Sequence, residues 1–262
     1  MKPVIGVVGD GVVGHATACA FLKRGFTVLV NDVKNQGNSY KSKRELVSKC
    51  DVIFICVPTP TDSSGNCDTG TVYKAVKDFA NYSKRPLNIA VKSTVPIGFV
   101  RGLEETWPDV NFASNPEFLR QEHAISDADK PDRIIIGANT LAIKALLLSI
   151  YMSFESERII TTSSNAEAIK LFSNAFLVLK VAFTNELYNV CVELGLTPEM
   201  VALGVALDKR IGRSHLDPLL GKIPHDSPCL PKDLEAFISF LKNKRLSSKL
   251  FEAAYEFGVM EK

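Results

Sequence analysis

No apolar run in this chain approaches the ~20 residues needed to cross a bilayer as a helix, so a membrane-spanning protein is not expected. The opening "MKPVIGVVGDG" enters a strand pattern at once, with no signal peptide carrying an n-region and cleavage site, and a cytoplasmic protein is expected. Histidine is scarce, with four in 262 residues, and none is paired at a metal-ligand spacing. Six cysteines, at 19, 50, 56, 67, 191 and 229, include no Cys-x-x-Cys pair. Neither a metal site nor a disulfide framework is expected, and a reducing compartment fits. Cys19, Cys50, Cys56 and Cys191 lie in apolar helix or strand patterns and are expected in the core, whereas Cys67 and Cys229 lie in loops. An excess of one charge is also missing. Lys and Arg number 31 against 29 Asp and Glu, for a net charge of +2 with no dense basic cluster. That argues against nucleic acid or an anionic membrane as partner. Internal repeats and low-complexity segments are absent.

What is present is globular: 46% hydrophobic and 23% charged residues, enough for one large or two small domains. The runs "VIGVV", "TVLVN", "DVIFICV", "NIAVK", "VNFAS", "RIIIG" and "RIITT" read as strands, with helical periodicity at 12–24, 70–82, 97–107 and 140–152. Strands apolar throughout, alternating with helices, predict an α/β fold: a Rossmann-type, doubly wound parallel sheet covered on both faces. Beyond residue 163 the strands stop. A long helix is expected over 164–195, ended by Gly195, followed by a helix with Thr197 as cap and Pro198 in its first turn. A loop over 208–228 and helices near 232–242 and 247–258 complete the pattern. The expected domains are therefore 1–162 and an all-helical region, 163–262.

"GVVGDGVVGHATACAFLKRG" places Gly9-x-Gly11-x-x-Gly14 between a strand and a helix. Glycines there permit a tight turn and let the backbone approach a pyrophosphate at the helix N-terminus. The next strand ends in Asp32, 18 residues past Gly14. A carboxylate at that place bonds the ribose hydroxyls and repels a 2′-phosphate, which favours NAD over NADP. Asp10, inside the loop, is expected to point away from the phosphates.

Three more strand ends carry unusual loops: "ICVPTP", "VKSTVPIGFV" with Lys92, Ser93 and Thr94, and "SNPEFLRQE" with Glu117. In open α/β sheets ligands bind beyond the carboxyl ends of strands. On the long helix Lys170 and Asn174 are four apart and share a face; they suit either an oxyanion or a solvated stripe. "HDSPCLPKDLEAF" sets Cys229 between two prolines at the mouth of a helix. Lys232 and the helix dipole would both favour its thiolate, the nucleophilic form.

In their shared order, GxGxxG, "VPTP", "KSTVPIG", "NPEFLR", "PDRIIIG", "AEAIKLFSNAFLVLK", "NE" at Asn185-Glu186, "RIG" at 210–212 and "CLPKD" resemble the UDP-glucose/GDP-mannose dehydrogenase family over nearly the whole chain. The resemblance implies a Rossmann domain, a central region with a long dimerising helix, and a homodimer through helix 164–195. The implied activity is oxidation of a nucleotide-sugar primary alcohol to a uronic acid by two NAD⁺ in succession, in support of polysaccharide biosynthesis. It implies Cys229 as the nucleophile that holds the aldehyde as a thiohemiacetal, later a thioester. Lys170 and Asn174 would stabilise the oxyanion, and Thr94, Glu117 and Asp233 would position or activate water, with Glu117 as base in thioester hydrolysis. Cofactor contacts are implied at Gly9, Gly11, Val12, Val13, Gly14, Asp32, Val57, Pro58, Thr59, Ser93 and Thr94. Substrate contacts are implied at Glu117, Phe118, Leu119, Arg120, Lys170, Asn174 and Arg210, with Lys180 framing the substrate or dimer side.

The chain departs from that pattern in four places. It stops about where the family's nucleotide-sugar-binding third domain begins, as a natural short form or a fragment would. The Gly-rich loop before the cysteine is replaced by "KIPHDSPC", where Asp226, Ser227 and Pro228 are expected to make it stiffer and more acidic. Gln121-Glu122 stands where the family has Glu-Gly. The loop "RSHLDPLLG" after "RIG" gives an atypical spacing to the cysteine. Two other readings stay open: an NAD-binding or dimerising module without turnover, and a two-electron hydroxyacid dehydrogenase, which would leave "CLPKD" unexplained.

Overall fold

In the computed structural model, which describes residues 2–34, 41–83, 86–225, 227 and 229–260, each apolar run becomes a strand. They are β1 (Val4–Val8), β2 (Thr27–Asn31), β3 (Val52–Ile55), β4 (Leu87–Val91), β5 (Val110–Ser114), β6 (Arg133–Ala138) and β7 (Glu157–Thr161). They join one seven-stranded sheet in the order β2-β1-β3-β4-β5-β6-β7. Between them run α1 (Val12–Lys23), α2 (Lys43–Lys49), α3 (Gly70–Tyr82), α4 (Phe99–Thr106), a 3-10 turn at Gln121–His123, α5 (Ala124–Asp129) and α6 (Leu141–Tyr151). The central strands are apolar without alternation because both faces are covered, whereas β7 at the sheet edge is exposed. Along β3, Val52 and Phe54 enter one core with Phe21 and Phe154, while Ile53 and Ile55 enter the other with Val72, Phe79 and Phe112.

The sheet is not wholly parallel: β5 and β6 pair antiparallel, the other neighbours parallel. The connection between them holds the 3-10 turn and the six-residue α5, about 9 Å long. α5 packs on α1. Two short helices were not expected. α2 carries a legible start signal, a capping box in which Ser42 and Glu45 exchange hydrogen bonds. α5 has no comparable signal.

α7 (Ser163–Glu193), α8 (Pro198–Ala206), α9 (Leu230–Asn243) and α10 (Lys249–Gly258) follow. Thr197 stands at the N-cap of α8 and Pro198 in its first turn, but the Thr197 side chain makes no cap bond. The chain divides into two compact units, Met1–Thr59 with Asp68–Lys170, and Pro60–Cys67 with Leu171–Lys262. In the first, α7 starts close against β6. A Cβ on Gly137 would lie 2.4 Å from the Ala166 Cβ and 2.6 Å from the Thr162 carbonyl oxygen, so only glycine fits. In the second, Phe172, Phe237 and Phe251 stack edge to face, and Gly258 lets α10 approach Val178 of α7. The short segment 60–67 is tied to α9, because Asn66 Oδ1 accepts from Ser239 Oγ at 2.5 Å and Asn243 Nδ2 at 3.2 Å. Among the described residues no helix is long and apolar enough to cross a membrane.

Candidate active site

The glycine loop is built as its spacing predicts. Gly9 sits at φ +92, where a Cβ would also strike the Cys56 carbonyl oxygen at 2.6 Å. A Cβ on Gly14 would lie 1.8 Å from the Gly9 carbonyl oxygen. Gly11 is different: nothing lies within 4 Å of its missing side chain, and it is the N-cap of α1, with no side chain of its own to bond the first-turn amides and no acid in that turn. The space in front of these amides is left for an anion. Asp32 faces the same loop, its Oδ2 accepting from the Asp10 amide at 2.7 Å and its Oδ1 from Lys34 N at 2.8 Å. Asp10 turns its own carboxylate to His15 Nδ1, 3.2 Å away. A cleft of about 840 Å³ opens here, lined by Asp10, Gly11, Val12 and His15 on one side and by Gln121, Glu122 and His123 on the other. These residues fit a dinucleotide: a glycine cradle, a helix N-terminus and a carboxylate at the end of β2. Among the described residues no cluster fit for a metal occurs.

Beyond β3, Val57 is half-buried, Pro58 exposed and Thr59 buried. Ser93 anchors the neighbouring loop to this strand end, its hydroxyl donating to the Val57 carbonyl at 2.7 Å; Thr94 follows, half-buried. Lys92 is buried and donates to the carbonyl and the Oδ1 of Asn115, at 3.3 and 3.2 Å. Burial lowers its pKa, while Cys56 and Glu117 pull it back up and Lys170 lowers it further. The Cys56 thiol is itself pushed up to about 12 by burial. Asn115 thereby fixes the end of β5, from which Glu117 projects.

Glu117 and Lys170 form a buried ion pair at 2.9 Å, with side chains 12% and 7% exposed. The other Glu117 oxygen accepts from the Leu119 amide at 2.6 Å. The Phe118 ring lies under the Arg133 guanidinium at 3.9 Å. Arg120 is held outward, its Nε and Nη2 both on Asp127. In the second unit Asn174 is 6% exposed and donates to Asp233 Oδ2 at 2.7 Å. Lys170 and Asn174 are therefore no solvated stripe. Cys229 is exposed and is the N-cap of α9. Lys232, three residues on in the first turn of α9, pairs with Asp233 Oδ1 at 2.5 Å. Asp226 and Pro228, part of the expected stiffening of this loop, lie outside the described residues. Arg210 is 88% exposed and clamped by Asp208, and Lys180 donates to the Ile211 carbonyl. Cys50, Cys56 and Cys191 are buried as expected, but Cys19 is only half-buried, its sulfur 3.6 Å from His15 Nε2.

One buried acid was not foreseen. Glu167, one turn before Lys170 on α7, is 2% exposed. Its only sequence signal was a carboxylate inside an apolar helical pattern.

Comparison with known proteins agrees with this geometry. Residues 38–155 match the model of the UDP-glucose/GDP-mannose dehydrogenase family, NAD binding domain, and residues 164–258 that of the family's central domain. A UDP-glucose 6-dehydrogenase of Rickettsia bellii is 38% identical over 216 residues, 80% of this chain and 49% of its own length. The UDP-glucose 6-dehydrogenase YwqF of Bacillus subtilis is 35% identical over 220 residues, 81% of this chain and 49% of its own. The structure of a UDP-glucose dehydrogenase from the archaeon Pyrobaculum islandicum superposes with a TM-score of 0.90 at 30% identity, covering 98% of this chain and 68% of that one. The chain thus spans about half the length of the curated relatives it matches.

Proposed function

Because the chain belongs to the UDP-glucose/GDP-mannose dehydrogenase family, we propose that it oxidises the primary alcohol of a UDP-glucose-like nucleotide sugar to a carboxylate, with two NAD consumed per sugar. Bound NAD would accept a hydride in each of the two oxidations; in the first, the hydroxyl proton passes to the water held with Thr94 and Asp233, and the sugar carbon is left as an aldehyde. Gly9, Gly11, Val12, Val13 and Gly14 bind its diphosphate through backbone amides, Asp32 its ribose, and Val57, Pro58, Thr59, Ser93 and Thr94 line its approach to the sugar. Phe118, Leu119, Arg120 and Arg210 frame the substrate. The Cys229 thiolate adds to the aldehyde carbon, and the resulting oxyanion accepts from the Lys170 ammonium and the Asn174 amide. Loss of a hydride from that thiohemiacetal leaves a thioester on Cys229. Glu117 then takes a proton from water held with Thr94 and Asp233. The hydroxyl adds to the thioester, the carbon–sulfur bond breaks, and the thiolate is regenerated.

One observation carries this reading. Lys170 and Asn174 are buried on consecutive turns of α7, and each is bonded to a carboxylate, Glu117 and Asp233. An ammonium and an amide desolvated in this way act far more strongly on a developing oxyanion than on a surface. The same reading makes the protein a homodimer through helix 164–195, supported by Phe172, Phe176 and Phe183, which stand 51%, 60% and 50% exposed. The test is NADH release with UDP-glucose, GDP-mannose and UDP-N-acetyl sugars. Two NADH per sugar, lost in Cys229→Ser, is the expected result. One NADH per substrate, or full turnover without the thiol, overturns the covalent route.

A further inference from the structure

α4 begins without a cap of its own. Its N-cap is Gly98, at φ +93, and no side chain there bonds the first-turn amides. Those amides are met from far along the chain. Glu167 Oε2 accepts from Gly98 N at 2.6 Å and Oε1 from Val100 N at 2.8 Å. The loop before α4 is thus pinned at both ends. At its start the Lys92 and Ser93 amides donate to the Ile55 carbonyl and Ser93 Oγ to the Val57 carbonyl; at its end stands Glu167. Thr94 lies between the two anchors, and Lys170 is one turn beyond Glu167 on the same helix.

We infer that Glu167 is a positioning residue: its carboxylate ties the loop that carries Thr94 to the turn of α7 that carries Lys170. The inference rests on the roles proposed above for those two residues. A carboxylate here is costly to keep. Burial pushes it up to about 7, against the pull of the two amides, and Glu104 of α4 faces it with like charge. Glu104 is itself raised by burial and bonded by Asn139; along α7 the nearest cation is Lys170. An apolar residue would fill the same volume with no such penalty, but it would leave two amides unbonded, that of Val100 buried and that of Gly98 half-buried. What only a carboxylate supplies is two acceptors at a fixed spacing, and hence a fixed distance between loop and helix.

The test uses the full chain with Glu167→Gln, which keeps shape and one acceptor, and Glu167→Ala. Backbone hydrogen exchange of 93–100 is compared with that of β4. Faster exchange, by roughly tenfold or more in Glu167→Ala and at one of the two amides in Glu167→Gln, with β4 unchanged, is expected. Unchanged protection at Gly98 and Val100 overturns the inference whether or not the protein turns over. Where nucleotide-sugar oxidation is measured, kcat should fall roughly tenfold to a hundredfold in Glu167→Gln with KM for NAD within about twofold. An unaltered kcat overturns the positioning role. Absence of NADH in the unsubstituted chain refutes the functional reading instead, and leaves the exchange result to decide the clamp.

Discussion

Replacing Lys170 by Met should unbalance the first unit, and the reason is the carboxylate it leaves behind. Glu117 is 12% exposed and has two partners, Lys170 Nζ at 2.9 Å and the Leu119 amide. Methionine fills the volume of the lysine stem, so little packing is lost; what is lost is the countercharge. Removing one partner of a buried pair typically costs about 3–5 kcal/mol. Lys92 still faces Glu117 electrostatically, which places the expectation at the lower end, about 3 kcal/mol. At about 2–4 °C per kcal/mol for a chain of this size, the melting temperature should drop by roughly 6–12 °C. The second substitution, Glu117→Gln, is the control. It removes the stranded charge and keeps an acceptor for Leu119 N, so the double variant should regain at least half of the loss. Urea unfolding of the four proteins closes the cycle. A Lys170→Met cost below about 1 kcal/mol, or a double variant as unstable as Lys170→Met alone, would show that the pair is not the buried unit described.

Gly14→Ala must displace α1 or the Gly9 carbonyl, because its Cβ would sit 1.8 Å from that oxygen; NAD titration should show affinity lost, and unchanged affinity would refute the cradle. Glu167 has its pKa raised from 4.5 to about 7 in the folded chain, so the folded state holds the proton more tightly. Its contribution is full below pH 4.5 and is lost as pH rises through 7, by about 3 kcal/mol; denaturant unfolding from pH 5 to 8 should show a flatter profile in Glu167→Gln, and parallel profiles would refute the assignment. Cys56, pushed up to about 12 and buried, should resist iodoacetamide at pH 8 with Cys50 and Cys191, while exposed Cys229 is alkylated; peptide mapping that finds Cys56 labelled first would overturn this.

Much of this architecture was legible before folding. All seven strands were read from apolar runs, which in the central strands reflect burial on both faces. The glycine loop was legible because backbone geometry at Gly9 and Gly14 admits no side chain, and the end of the phosphate-binding turn follows from that alone. Direction was not legible. Periodicity along β6 is the same whichever way it runs, and only the tertiary pairing shows that it lies antiparallel to β5. Nor could spacing tell whether Lys170 and Asn174 face water, because helical register names a face but not what covers it. Their partners are 53 and 59 residues away in the chain. The same holds for Glu167, whose role depends on amides 69 and 67 residues distant. Local sequence determined the strands, the longer helices and the turns that need glycine, since those depend on pattern and sterics within a few residues, but not the short α5. Burial and charge pairing were decided by the tertiary structure, because both depend on what long-range packing brings alongside.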